Sequence, residues 1–239
     1  DTTKFVKVSM EEVVHTLFEA LVLVIVVVFL FLQSWRTTLI PSIAVPVSLI
    51  GTFALMLAFG FSINTLTLFG LILAIGIVVD DAIIVVENVE RILDENPDIS
   101  TKDATIQAMK EIAGPVMATT AVLMAVFVPV AFIPGFTGAL YQQFALTIAL
   151  SVFISAINAL TLSPALSVTL LNRAGHGEKS AFFRGFDAAL EWFRIRYIAF
   201  LRKVVRYWVV SVGLFVVGVV LTVAIFKVLP TGFIPDEDQ

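Results

Sequence analysis

Long apolar stretches separated by short polar connections dominate the pattern of this 239-residue chain. Six stretches are long enough, at about 20 residues, to cross the hydrocarbon core of a bilayer as helices. They lie at residues 13–32, 39–59, 64–90, 114–133, 144–171 and 207–228. A strand with unpaired edges is not stable in lipid, so the pattern predicts an all-α integral membrane segment. Within it, Pro129 and Pro164 are expected to kink or unwind spans four and five.

The charge distribution orients these predicted spans. Apolar residues make up 59% of the chain and charged residues 14%, a composition that excludes a soluble enzyme of this size. Twelve of the 15 lysines and arginines lie after spans one, three and five, so that face is predicted to be cytoplasmic and both chain ends to face outward. The net charge of −4 offers no basic surface for nucleic acid. The absence of cysteine excludes disulfides and thiolate chemistry.

Two further segments have an amphipathic pattern. Residues 102–112 form an amphipathic approach to the fourth span. In residues 182–205, apolar side chains recur at helical spacing and basic side chains fall mostly between them. This pattern predicts a helix on the cytoplasmic membrane surface with its basic side toward anionic headgroups, and the alternative is a cytosolic helix packed on another part of the protein.

The predicted spans divide the chain into four parts. Residues 1–172 form a first bundle of five spans, residues 173–206 a cytoplasmic linker and surface helix, residues 207–228 the sixth span, and residues 229–239 the start of an outer segment. The chain lacks an initiator methionine and a signal-peptide pattern, so we expect it to be part of a longer protein.

The third predicted span contains two adjacent aspartates, Asp80 and Asp81, within LFGLILAIGIVVDDAIIVVENVER. They lie about 15 Å from Arg91 along a helix axis, too far for a short side chain to reach the headgroups. An ionised carboxylate at the centre of a span costs about 3 kcal/mol even on a lenient insertion scale, and a like-charged neighbour adds to that cost. Acidic residues at this depth are therefore typical of a functional site.

Three arrangements relieve this cost. One or both carboxyls are protonated, a basic residue of another helix pairs with them, or water reaches them through a cavity. No lysine or arginine occurs between Arg36 and Arg91 or within spans four and five, so a basic partner has to come from outside this segment. A carboxyl pair whose charge depends on a movable partner indicates a proton relay that titrates as a unit. The alternative is that the aspartates only hold helices together through hydrogen bonds.

Three nearby residues are weaker candidates for the same site: Gly76, Glu87 and Asn88. Glu87 and Asn88 lie seven residues beyond the first and the second aspartate, so each shares nearly the same helix face with its counterpart. Glu87 extends the polar track toward the cytoplasm in one interpretation and is an interfacial charge paired with Arg91 in the other. Gly76, one turn before the pair, removes a side chain where another helix approaches closely.

The remaining motifs predict no further chemistry. His15 and His176 are far apart, so no metal site is expected, and the methionines form no cluster for a soft cation. No phosphate-binding glycine loop is present, so the segment is not expected to hydrolyse ATP. Energy for any active transport would therefore have to come from an ion gradient or from another part of the complex.

Two stretches closely resemble the resistance–nodulation–division (RND) multidrug exporters, of the hydrophobe/amphiphile efflux branch with AcrB and MexB as its type. They are TLIPSIAVPVSLIGTFALMLAFGFSINTLTLFGLILAIGIVVDDAIIVVENVER at residues 38–91 and LPTGFIPDEDQ at residues 229–239. The whole chain would correspond to the second through seventh transmembrane helices of a twelve-helix subunit. The double aspartate followed by VENVER is the specific part, because six hydrophobic helices alone fit many families.

The resemblance implies a secondary active efflux transporter rather than an enzyme, driven by the proton-motive force, with protons as the coupling ion and no cofactor. In this transporter Asp80 and Asp81 match the proton-translocating pair. Their implied partner is a lysine in the second half of the subunit. The resemblance also implies a homotrimer in the bacterial inner membrane, with both ends of this segment periplasmic. The expected partners are membrane lipids, that second half, a periplasmic adaptor, an outer-membrane channel, and hydrophobic or amphiphilic drugs.

Three alternatives stand beside this prediction. Heavy-metal exporters of the superfamily typically carry one aspartate where two stand here, and they use methionine tracks that this chain lacks. Protein-translocation relatives lack the SINTLTLFG–VDD–VENVER sequence. A structural or sensory membrane domain that transports nothing would keep its activity after both aspartates were neutralised.

Overall fold

The computed structural model describes residues 2–171 and 181–228, and the regular structure in these ranges is helical. The helices are α1 (Thr2–Leu32), α2 (Trp35–Ala58), α3 (Thr65–Glu95), α4 (Thr101–Val130), α5 (Gly135–Leu160), α6 (Leu162–Leu170), α7 (Ala181–Arg206) and α8 (Trp208–Val228). Six segments among the described residues are long and apolar enough to cross a membrane. The predicted all-α membrane architecture is therefore confirmed.

Most helices extend past the predicted apolar spans. The third begins one residue after Asn64 and continues to Glu95, about eight turns beyond its first residue. The predicted amphipathic approach at residues 102–112 and the fourth span are one continuous helix, α4, although Pro115 lies inside it. The predicted linker at 172–180 with His176, and the outer segment at 229–239, lie outside the described residues. The division into four parts stays a prediction.

The fifth predicted span is two helices rather than one. α5 ends at Leu160 and α6 begins at Leu162, with Thr161 between them at φ −125° and ψ −63°. Pro164 explains the position of the break, because it has no N–H for the carbonyl of Leu160, four residues earlier, and its ring crowds that carbonyl. The other predicted kink residue, Pro129, lies in the last turn of α4.

The chain divides into two compact units, Asp1–Gly177 and Glu178–Gln239, and the first contains α1 to α6. In this unit α5 packs against α2, α3 and α4, and α3 also contacts α1 and α2. A small residue permits the closest approach: a Cβ added at Gly70 would lie 3.2 Å from the carbonyl oxygen of Phe144. α3 and α5 therefore meet nearly backbone to backbone.

The second unit contains α7 and α8, which contact each other. α7 includes the residues for which a surface helix is predicted, and the helix itself is confirmed while its place on the membrane stays a prediction. Its polar side chains interact along the helix: Arg194 donates hydrogen bonds of 2.7 and 2.8 Å to Glu191, and these lower the pKa of the Glu191 carboxyl. The Arg196 guanidinium lies 4.6 Å from the Trp192 ring centroid.

Candidate functional site

The beginning of α3 is fixed by its capping residue. The Asn64 side chain accepts a 3.0 Å hydrogen bond from the backbone N–H of Thr67, and the Thr67 hydroxyl accepts one from the backbone of Asn64. The Asn64 amide also donates to the Gln143 side chain on α5. This reciprocal capping box satisfies backbone donors at the N-terminus and ties α3 to α5. Because the cap fixes where α3 begins, it also helps to set the rotation of the helix about its axis and the direction in which each aspartate side chain points.

Asp81 faces the interior of the bundle. Its side chain is buried, with 9% of the residue surface exposed. The Ser155 hydroxyl of α5 lies 2.6 Å from Asp81 Oδ2 and donates to it, and it also lies 3.3 Å from the carbonyl oxygen of Val78. Ser155 is itself 2% exposed, so this contact is shielded from solvent on both sides. A buried carboxyl held in this way has one defined donor within the chain.

Ser155 belongs to a polar stripe of α5 that the sequence analysis missed. The stripe consists of buried residues at helical spacing, namely Thr147, Ser151, Ser155 and Asn158. The hydroxyls of Thr147 and Ser151 bond back to carbonyls one turn earlier in their own helix, at 2.7 and 2.8 Å. The repeat of hydroxyl residues at intervals of four along one apolar span was the available signal.

The last residue of this stripe, Asn158, contacts α2. The Asn158 amide donates a 2.7 Å hydrogen bond to the hydroxyl of Ser48, and both residues are buried. One turn further along α2, the Thr52 hydroxyl bonds to the carbonyl of Ser48 in its own helix. α5 therefore contacts both α3 and α2 through neighbouring polar side chains: Ser155 bonds to Asp81 of α3, and Asn158 bonds to Ser48 of α2.

Asp80 faces away from these helices. It is exposed and forms no hydrogen bond or ion pair with another described residue. It shares an exposed face of α3 with residues at helical spacing before and after it, which are Phe69, Leu73, Gly76 and Glu87. A Cβ added at Gly76 would meet no atom within 4 Å, so the expected close approach is not made by the part of the chain that the structure describes. This outward face has room for a partner.

The accessory candidates lie near the end of α3. Asn88 is half-buried and donates a 2.9 Å hydrogen bond to the carbonyl of Ile84 in its own helix. Arg91 bonds to Glu95 at 3.0 Å and to Glu111 of α4 at 2.5 Å, rather than to Glu87. Glu87 is exposed on the same side as Asp80. The structure thus brings Gly76, Asp80 and Glu87 onto one face, and turns Asp81 to another.

A second carboxyl of α3 was overlooked in the sequence. The Thr37 hydroxyl of α2 lies 2.5 Å from Glu90 Oε1 and donates to it, and Thr37 is fully buried. This contact ties α2 to α3 about three turns beyond the aspartates. Glu90 belongs to the VENVER segment, in which only Glu87 was singled out, because it lies seven residues after Asp80. Nothing in the sequence around Glu90 indicates that the buried Thr37 lies opposite it.

The arrangement separates two adjacent carboxyls by environment. Asp81 has a hydroxyl donor inside the bundle, while Asp80 lies on a face that no other described helix covers. No lysine or arginine lies in the sequence between Arg36 and Arg91, and among the described residues none forms an ion pair with Asp80 or Asp81. Such a pair is able to hold a proton at Asp80 or to form an ion pair there with a group that arrives from outside.

The comparison with known proteins decides the family. A family model described as "AcrB/AcrD/AcrF family" matches residues 1–239, the whole of this chain. The chain belongs to the AcrB/AcrD/AcrF family. This assignment confirms the predicted membership of the RND multidrug exporters, and it places the Asp80–Asp81 pair within the region that the family shares.

Curated relatives agree with this assignment. The chain is 48% identical over 246 residues to the multidrug export protein AcrF of Escherichia coli K12, and 45% identical over 245 residues to the multidrug resistance protein MdtF of Escherichia coli O6:H1. It is 44% identical over 247 residues to the multidrug/solvent efflux pump membrane transporter MepB of Pseudomonas putida. Each match covers 100% of this chain and 23% of the relative, so the chain spans about a quarter of the length of these AcrB/AcrD/AcrF-type proteins.

Proposed function

We propose that this chain is part of the proton-translocating transmembrane domain of a multidrug efflux transporter, and that Asp80 and Asp81 are its proton relay. The proposal is carried by the unequal surroundings of the two carboxyls, one hydrogen-bonded inside the bundle and one exposed among the described residues. Relatives that are 44–48% identical are named as multidrug export, resistance or efflux proteins, which supports the same activity here.

In the proposed mechanism, Asp80 is the member of the pair that meets a basic group from the rest of the subunit. When that group is close, the ionised carboxyl is stabilised by the opposite charge. When the group moves away, the carboxyl takes up a proton, because an unpaired charge at this depth is costly. Asp81, held by Ser155, fixes the helix rotation and shares the proton as the second half of a coupled pair.

The whole protein would use this step to drive export. We propose that it lies in the bacterial inner membrane with both ends of this segment in the periplasm, as the distribution of basic residues predicts. Its substrates would be hydrophobic or amphiphilic drugs. It would act as a homotrimer with a periplasmic adaptor and an outer-membrane channel, and the second half of its own subunit would supply the basic partner. Protons serve as the coupling ion, so no cofactor is required.

The test replaces each carboxyl by an amide of the same shape in the full-length protein. Asp80→Asn and Asp81→Asn are each expected to abolish drug export, a loss of at least about a hundredfold in rate, since an amide cannot exchange a proton. Asp98→Asn is the matched control, because it makes the same chemical change at an exposed residue outside the helices. Export is measured as drug efflux from proteoliposomes under an imposed pH gradient, together with drug-coupled proton flux.

The accessory residue is tested in the same assay. Glu87→Gln lowers export if the polar track continues along the outward face of α3, and leaves it unchanged if Glu87 is only an interfacial charge. For the relay itself, normal export and normal proton flux in Asp80→Asn or Asp81→Asn, at wild-type protein levels, would contradict the proposal and favour a structural role for the pair.

A further inference from the structure

An open groove of about 680 Å³ lies between α4 and α6, away from the aspartate pair. Its walls are mainly apolar and come from both helices, with Ile106 and Met109 on α4 and Pro164, Ala165 and Val168 on α6. Thr105 also lines the groove, but its hydroxyl already bonds to the carbonyl of Thr101 at 2.8 Å. The walls therefore suit a hydrocarbon chain rather than a polar ligand.

Two lysines border this apolar groove. Lys102 and Lys110 both belong to its lining and are exposed. Eight residues separate them on α4, about 12 Å along the helix axis. Neither forms an ion pair or hydrogen bond with another described residue, and the acids near them are engaged: Glu111 with Arg91 at 2.5 Å, and Asp103 at the N-cap of α4. Two uncompensated positive charges thus stand at the edge of the groove.

The two lysines lie on the part of α4 that precedes the fourth apolar stretch. This stretch begins at residue 114, so Lys110 lies about 6 Å and Lys102 about 18 Å outside it along the helix axis. The same end of the bundle carries the ion pair between Arg91 and Glu111 and the end of α6 at Leu170. A lysine at the level of Lys110 reaches the polar headgroups with its ammonium group while its stem covers apolar surface.

We propose that this groove binds an anionic phospholipid, with its phosphate at Lys110, a second positive charge at Lys102 farther from the apolar stretch, and an acyl chain along the apolar walls. Basic pockets between membrane helices are typical sites for acidic lipid headgroups. A protein helix in the groove would have to bring acidic side chains to both lysines, whereas an anionic lipid supplies the negative charge and the hydrocarbon in one molecule. The lipid site is independent of the proposed proton relay.

Photochemical labelling of the full-length protein tests this site. The protein is reconstituted in phosphatidylcholine vesicles that contain a small fraction of phosphatidylglycerol with a photoreactive acyl chain, and the labelled peptides are mapped by mass spectrometry. We expect labelling at residues 106–109 and 164–168, and competition by unlabelled phosphatidylglycerol but not by phosphatidylethanolamine. Each lysine near an anionic lipid surface raises the binding affinity about fivefold. The double variant Lys102→Gln/Lys110→Gln should therefore weaken labelling of the groove about thirtyfold.

Two controls separate the groove from the general lipid surface. Lys227→Gln removes a charge at the other end of the described chain and should leave groove labelling unchanged. Labelling of α8 serves as an internal measure of non-specific lipid contact and should be equal in every variant. Ala165→Trp keeps both lysines but fills the groove, and it should reduce labelling of residues 106–109 by at least about tenfold.

Three results would overturn the lipid site. They are equal competition by phosphatidylglycerol and phosphatidylethanolamine, undiminished labelling in the double lysine variant, and a groove that remains unlabelled because protein covers it. The competition arm uses the wild-type protein, so it decides the matter even if a variant does not fold. Drug export and proton flux are separate measurements, and an intact relay without lipid binding would contradict only this inference.

Discussion

The two faces of α3 differ in what they contact, although the same apolar helix presents both. The inward face carries Asp81 and Gly70, and it packs against α5 so closely that a single added carbon at Gly70 would lie 3.2 Å from a backbone oxygen. The outward face carries Asp80 and Gly76, and an added carbon at Gly76 would meet no atom within 4 Å. Each face therefore pairs one aspartate with one glycine, but the part of the chain that the structure describes fills only the inward face.

In the proposed relay, this difference gives the two aspartates different roles. On the inward face, the Ser155 hydroxyl satisfies Asp81 at 2.6 Å, and the contact fixes how α3 and α5 are rotated. On the outward face, Asp80 has an apolar surround and no partner among the described residues. A carboxyl that is satisfied internally is suited to hold structure, and one that is left for an external group is suited to respond to movement of that group.

The largest expected effect comes from filling the tight contact on the inward face. Gly70→Leu adds four carbons, and the first of them would lie 3.2 Å from the backbone oxygen of Phe144, which cannot turn away as a flexible side chain can. Overpacking of a close helix contact costs about 3 kcal/mol at its upper end, so the full-length protein should lose a large part of its stability and its level in the membrane. Thermal unfolding of the purified protein measures this loss.

The same substitution on the outward face sharpens the comparison. At Gly76 an added Cβ meets no described atom within 4 Å, so in Gly76→Leu the melting temperature should fall by less than half as much as in Gly70→Leu. Drug export by the Gly76 variant then reports whether a helix from the rest of the subunit passes close to Asp80. An equal or larger loss of stability at Gly76 would reverse the comparison, because it would make the outward face the tighter of the two.

An intermediate effect is expected from the hydroxyl that holds Asp81. Ser155→Ala removes its donor and leaves a buried carboxyl unsatisfied, and a hydrogen bond to a charged group contributes about 1.5 kcal/mol, or roughly tenfold. Export should fall by about that factor. Ser151→Ala is the matched control, since the Ser151 hydroxyl bonds only to Thr147 of its own helix. Equal export in the two variants would show that Asp81 does not depend on Ser155.

Most of the fold followed from the sequence because the bilayer sets the length of an apolar helix. The predicted spans coincide with the six long apolar helices, and their ends differ where charged residues continue a helix into water, as α3 does up to Glu95. The sequence predicts a kink or local unwinding at Pro164 in the fifth span. It does not predict that the span is divided into two separate helices after Leu160. Proline constrains the preceding turn, but whether a helix bends or ends there depends on packing.

The site was predictable only in part. Asp80 and Asp81 are candidates from the sequence alone, because two carboxyls inside an apolar stretch are energetically costly. Ser155 was not, since serine is common in membrane helices, and its role depends on the rotation of α5 relative to α3, 74 positions away in the sequence. The packing of α3 on α5 also includes the close approach of Gly70 to Phe144 and the hydrogen bond from Asn64 to Gln143, and both contacts join residues far apart in the sequence.

The smallest expected effect concerns the hydrogen bond between α5 and α2. Like the contact of Ser155 with Asp81, it is buried between two helices, but it involves no ionisable group. Asn158 donates to Ser48 at 2.7 Å, and hydrogen bonds between membrane helices contribute on average about 0.6 kcal/mol in double-mutant cycles. A cycle of Asn158→Ala and Ser48→Ala, followed by unfolding of the full-length protein, should return a coupling of this size. Thr52 bonds only within α2, so Asn158→Ala combined with Thr52→Ala should show almost no coupling. A coupling for Asn158 and Ser48 that exceeds the effect of Ser155→Ala would mean that the uncharged contact, rather than the contact at Asp81, fixes the position of α5.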